Sequence, residues 1–98
     1  MPLMKSATEL RLDHLRGVGP RLREDFSRLG IHSVADLAHR DPMRLYRRLC
    51  TLTGARQDPC VYDAFRCAIE QARNPHLPPE QRNWWYWSRV RKAEHLEI

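Results

Sequence analysis

At three points in this chain a proline follows a residue that can open a helix: Gly19-Pro20, Asp41-Pro42 and Asp58-Pro59. Proline suits the first helical position, where its missing amide hydrogen leaves nothing unpaired. An aspartate just before it can accept a bond from the exposed amides of the first turn. Ser33 with Asp36, and Ser6 with Glu9 in the spacing of a capping box, mark two more starts. Gly30, followed by Ile31 in the manner of a Schellman motif, and Thr53-Gly54 are the matching stops. Starts and stops this frequent divide the chain into short helices and leave no room for a long one.

Apolar spacing fills in those segments. Leu12 and Leu15, with Leu10 beside them, predict a first helix over about residues 7–15. Leu22, Phe26 and Leu29 form the buried stripe of the second; Val34, Leu37 and Ala38 belong to a short third. The fourth presents Leu45, Leu49 and Leu52. The fifth carries Val61, Ala64, Phe65, Ala68, Ile69 and Ala72 at helical spacing. No stretch alternates strictly, so the fold class is all-α, a compact bundle of about five helices. Asn74-Pro75-His76-Leu77-Pro78-Pro79 then interrupts as a connector that regular helix does not tolerate. Beyond it lies a Trp-rich tail, Trp84-Trp85-Tyr86-Trp87 followed by Arg89, Arg91 and Lys92. The expected organisation is a helical domain over 1–73, with 74–98 an extension packed on the same domain.

Composition narrows the function classes. The 98 residues suit one small domain, and no apolar run reaches the roughly 18 residues of a membrane span. With no signal-peptide layout at the N-terminus, the expected location is the cytoplasm. The net charge of +5 is unevenly spread: ten Lys/Arg against six Asp/Glu in residues 1–50, seven against six in 51–98. Of the 17 basic residues 15 are Arg, whose forked donors match phosphate oxygens. A basic excess on one half suits a polyanion partner, although an ordinary Arg-rich surface gives the same count.

Catalytic signals are sparse. Cys50, Cys60 and Cys67 lack Cys-x-x-Cys spacing and read as core thiols, with no metal expected. None of His14, His32, His39, His76 and His95 stands in a motif with a nucleophile. Asp13, Glu24, Asp25, Asp58 and Asp63 are scattered with no paired arrangement for a nuclease magnesium. The chain is read as a non-enzyme. The Trp84–Trp87 cluster leaves three roles open: wrapping back over the core, docking a protein partner, or stacking on unpaired bases beside Arg82, Arg89 and Arg91.

One segment carries more. In Leu12-Asp13-His14-Leu15-Arg16-Gly17-Val18-Gly19-Pro20-Arg21-Leu22, two leucines set a packing face and two glycines permit a tight reversal. The helix that follows at once aims the amides of Gly19, Arg21 and Leu22 outward at its positive end, an anion site that suits a phosphate. Arg16, Arg21 and Arg23 add charge around it. A turn between two packed helices needs glycine in any case, so packing or protein docking also accounts for the pattern.

These residues resemble the helix-hairpin-helix motif of DNA repair and recombination proteins: apolar, two others, apolar, one more, then Gly-apolar-Gly. The resemblance implies non-sequence-specific contact with the DNA sugar-phosphate backbone along the minor groove. It places Arg16, Gly17, Val18, Gly19, Arg21, Leu22 and Arg23 at the DNA. No cofactor is implied beyond a monovalent cation held in some members by hairpin carbonyls. His39-Arg40-Asp41-Pro42 stands where a paired motif would put its second Gly-x-Gly. Lacking glycine, it is a degenerate second hairpin to which Arg40 and Arg44 still lend charge. Cys50, the Asp58-Pro59-Cys60…Cys67-Ala68 segment and the Trp-rich tail are similar to small bacterial proteins of the "pathogenicity locus" family. The expected function is DNA binding through phosphate contacts, in repair or recombination. The alternative is a protein-interaction adaptor using the bundle and the Trp-rich tail.

Overall fold

The computed structural model describes residues 11–98, so the Ser6–Glu9 capping box and Leu10 lie outside it. Among the described residues there are five α-helices, two short 3-10 turns and no strand, and the all-α expectation is met. The helices are α1 (Pro20–Arg28), α2 (Val34–Ala38), α3 (Pro42–Thr53), α4 (Pro59–Arg73) and α5 (Trp84–Ala93).

The local signals operate as read. Ser33 Oγ accepts the Asp36 amide at 3.0 Å, Asp41 accepts that of Met43 at 3.0 Å, and Asp58 that of Cys60 at 2.8 Å. Gly30 ends α1 at φ 79°. There the Gly30 amide donates to the Ser27 carbonyl and that of Ile31 to Phe26, the bond pair of a Schellman motif. Gly54 ends α3 at φ 68°.

The core gathers Phe26, Leu29, Ile31, Val34, Leu37, Leu49, Phe65 and Ile69, all fully buried. At its centre the rings of Phe26 (α1) and Phe65 (α4) stand 5.3 Å apart, and Cys67 is buried nearby on α4.

Four expectations need correction. The first predicted helix, where described, is a single 3-10 turn at Leu12–His14, and Leu15 is already extended at ψ 137°. With Gly17 so close, no further turn of helix can form before the chain reverses. Leu52 is 53% exposed rather than buried, because α3 faces the core with Leu45, Tyr46 and Leu49 and its last turn runs past the core. Tyr62 and Asp63 join the buried side of α4. The Trp-rich tail is itself a helix, α5, packed on α4. There Arg91 forks onto the carboxylate of the fully buried Asp63 at 2.9 and 3.1 Å. Arg66 lies 5.0 Å over the Trp87 ring and bonds Glu94 at 2.9 Å. Between α4 and α5, Leu77 is buried and Arg82 ties the proline-rich connector by donating to the Leu77 carbonyl at 2.8 Å.

Candidate functional site

The Arg16–Leu22 turn starts from backbone geometry. Gly17 has φ 85°, a left-handed conformation that a side chain resists, so it is needed for the reversal. Val18 points inward and is buried, anchoring the turn to the core. Any contact Val18 makes with a partner therefore runs through its backbone. Gly19 sits at φ −94°, ψ −172°, ordinary extended backbone, and a Cβ added to it would meet nothing within 4 Å. Neither conformation nor packing asks for glycine there.

Gly19 caps α1 with no side chain. The amides of Gly19, Arg21 and Leu22 consequently find no hydrogen-bond acceptor among the described residues, and the first α1 bond runs from Arg23 back to Gly19. The free amides crown a nine-residue helix at its positive end. Arg16 and Arg21 are exposed on either side. Leu22 is half-buried against the core, so its side chain serves packing while its amide faces out.

Arg23 departs from its expected place. It is half-buried, one guanidinium nitrogen stands 3.8 Å from Asp13, and its Nε is buried without a partner among the described residues. Its side chain is nevertheless 41% exposed, so it leans on Asp13 while part of its charge still meets solvent.

The turn is held from α4. Gln71 accepts the Arg16 amide on Oε1 and donates Nε2 to the Arg16 carbonyl, both at 2.9 Å. Two residues further on, Arg73 donates to the Ala38 carbonyl at 2.8 Å and to that of Arg40 at 2.9 Å. The end of α4 thus grips the first turn and the His39–Pro42 turn together. Sequence reasoning missed both clamps, which join residues 33 to 55 positions apart and leave no local pattern.

Carbonyl supply bears on the monovalent cation. The oxygens of Leu15, Arg16 and Gly19 accept bonds from Val18, Gln71 and Arg23, leaving those of Gly17 and Val18 without a partner among the described residues. These are the two oxygens of the turn that could meet a monovalent cation without sharing it with a hydrogen bond.

At the second turn Arg40 is ion-paired to Asp36 through both carboxylate oxygens, at 3.1 and 3.2 Å. Arg44 is exposed, and with Arg40 and Arg48 it lines a basic groove of about 350 Å³. Arg44, Arg47 and Arg48, spaced three and four apart on α3, are exposed and take part in no ion pair among the described residues. Arg47 and Arg48 were not singled out in the sequence, although their spacing from Arg44 was the available signal.

Residues 5–93 match the family described as "Pathogenicity locus". The chain belongs to that family. It is also 38% identical over 89 residues to a protein of Streptomyces lavendulae named mitomycin resistance protein McrB, covering 91% of this chain and 81% of that one. No solved structure matches. Neither the family description nor the relative's name specifies a ligand, which leaves the geometry to indicate one.

The remaining residues that this family member offers for chemistry are dispersed. Among the described residues no three of His, Cys, Asp or Glu gather as a metal site. Cys50 is half-buried, Cys60 exposed and Cys67 buried, and burial pushes the Cys67 thiol up to about 11. The Cys60 thiol is also raised, first by its bond to the Asp58 carboxylate. Neither environment makes a reactive thiolate. Burial raises the Asp25 carboxyl above its usual range, with Arg21 and Arg28 opposing. No helix among the described residues is long and apolar enough to cross a membrane.

Proposed function

We propose that this chain binds DNA by phosphate contacts at the Gly17–Val18–Gly19 turn, with little regard for base sequence. The carrying observation is Gly19. Neither backbone conformation nor packing requires glycine at this N-cap, where Ser or Asp would serve the helix at least as well, and its absent side chain keeps three unbonded amides open to a close-approaching anion. Arg16 and Arg21 flank those amides, and Arg44, Arg47 and Arg48 offer further phosphate contacts on α3. This is the helix-hairpin-helix mode of binding, with Gln71 and Arg73 holding the two turns. It assigns the chain no chemical step of its own, and it fits a cytoplasmic role in DNA repair or recombination.

Gly19→Val tests the reading directly. The substitution changes no charge and its Cβ meets nothing inside the protein, so the variant should stay folded and lose about 1 kcal/mol of helix capping. Its binding to a labelled duplex, followed by fluorescence anisotropy, should be lost. A folded Gly19→Val variant with parental affinity would leave the turn as packing only. In cells whose mitomycin survival depends on this chain, the same variant should behave as a deletion, a role carried over from the Streptomyces lavendulae relative's name.

A second reading, a protein-interaction adaptor, has one observation in its favour: Trp84 and Trp85 are each 46% exposed on α5. That reading takes over if the Gly19 test fails.

A further inference from the structure

Beside the turn lies an open cleft of about 410 Å³, a size within the roughly 300–1,000 Å³ of small-ligand sites. Its apolar lining comes from Pro20 and Leu22 on α1, Val61 and Ala64 on α4, and Trp84 at the start of α5. Gly17, Gly19 and Arg21 form part of the same lining, so the unbonded amides and the cleft share one rim.

We propose that the cleft receives one unpaired nucleobase from the DNA held at the turn; the proposal rests on the DNA reading given above. A nucleotide has an anionic end and a flat apolar-faced end, and the site has the same two parts side by side. The phosphate takes the amides and Arg21, and the base lies along the Leu22–Val61–Ala64 floor against Trp84. Aromatic stacking of this kind accepts any base, since every base has a π-face. Asp25 sets the orientation. Its carboxyl lines the cleft and repels a phosphate placed inside, while it can accept a bond from an exocyclic amine. Trp84 is 46% exposed, which leaves its indole accessible to a base. Bases stacked within a duplex cannot enter. The preferred partner is therefore DNA with an extrahelical or gapped nucleotide.

The test compares three labelled DNAs by anisotropy on the full chain: a perfect duplex, the same duplex with one bulged nucleotide, and one with an abasic bulge. The bulged duplex should bind about five- to 150-fold tighter than the perfect one, the range that one base–aromatic stack supplies. The abasic bulge should lose that gain. Trp84→Ala should also abolish it, with affinity for the perfect duplex unchanged. A second readout needs no substitution: alkylation of Cys60, which lines the cleft, should slow with bulged but not with perfect duplex. Equal binding of all three DNAs with no Cys60 protection overturns the base pocket and leaves the turn reading standing. Equal loss on all three in Trp84→Ala overturns it too. Failure to bind any DNA overturns both.

Discussion

Gln71 holds Arg16 by both of its backbone groups, as donor and acceptor at 2.9 Å each, across 55 residues of chain. The pair fixes where the turn leaves the core, and hence where the α1 amides point. Gln71→Ala should cost about 1–2 kcal/mol, the worth of two partly exposed hydrogen bonds. It should also weaken DNA binding, because a loosened turn no longer presents its amides as a set. Gln71→Glu keeps the acceptor and loses the donor, so it should fall between. Urea unfolding and amide exchange at Arg16 measure both; parental exchange at Arg16 in Gln71→Ala would deny the clamp.

The aromatic centre carries the bundle. Phe65 is fully buried against Phe26, and Phe65→Ala should destabilise by roughly 3–5 kcal/mol. A melt superimposing on the parent's would show that the Phe26–Phe65 contact is dispensable.

Asp63 and Arg91 make a buried ion pair that joins α4 to α5. Arg91→Met strands a carboxylate out of water and should cost about 3–5 kcal/mol. The double variant Asp63→Leu/Arg91→Met removes both charges and should recover most of that loss, since well-packed apolar replacements of buried pairs are often neutral. A double variant as unstable as the single one would point to a packing role for Arg91.

Alkali should expose the buried thiol. Cys67 titrates near 11 in the fold against an ordinary 9.0. Below pH 9 both folded and unfolded thiols are protonated, and the stability linked to Cys67 is fully present. As pH rises from 9 towards 11 the unfolded chain alone loses its proton, so stability falls through that window. Tyr46 and Tyr62, whose phenols burial also raises, add a further loss above pH 10. Unfolding free energies in Cys67→Ala should decline less steeply from pH 9, the remainder coming from Cys60, whose thiol is also raised, and should keep the decline from tyrosine. An unchanged profile between pH 9 and 10 would count against this assignment.

Salt should report the phosphate contacts. If Arg21, Arg44 and Arg48 each meet a phosphate, each change to Ala should weaken binding for every DNA sequence alike. Each should also flatten the log–log salt slope by about one unit. Arg23→Ala should change stability more than slope, because Arg23 faces Asp13. Equal slopes for Arg21→Ala and Arg23→Ala would contradict the distinction.

Helix boundaries were legible in the sequence because the forces that set them act within a few residues. Ser33, Asp41 and Asp58 bond amides two or three positions ahead, and Gly30 and Gly54 take the positive φ that ends their helices. The all-α class, the buried Phe65 and the turn at Gly17 followed from such local rules. Tertiary packing decided the rest. It brought Gln71 to Arg16 and Arg73 to Ala38 and Arg40, set Arg23 beside Asp13, and seated Arg91 on Asp63. It also left Leu52 outside, because helical spacing gives the apolar face of α3 but not where the core beneath it ends. The helix at Trp84–Ala93 escaped notice for a related reason. An aromatic run has no period of its own, and α4, on which it packs, determines which rings are buried and which are not.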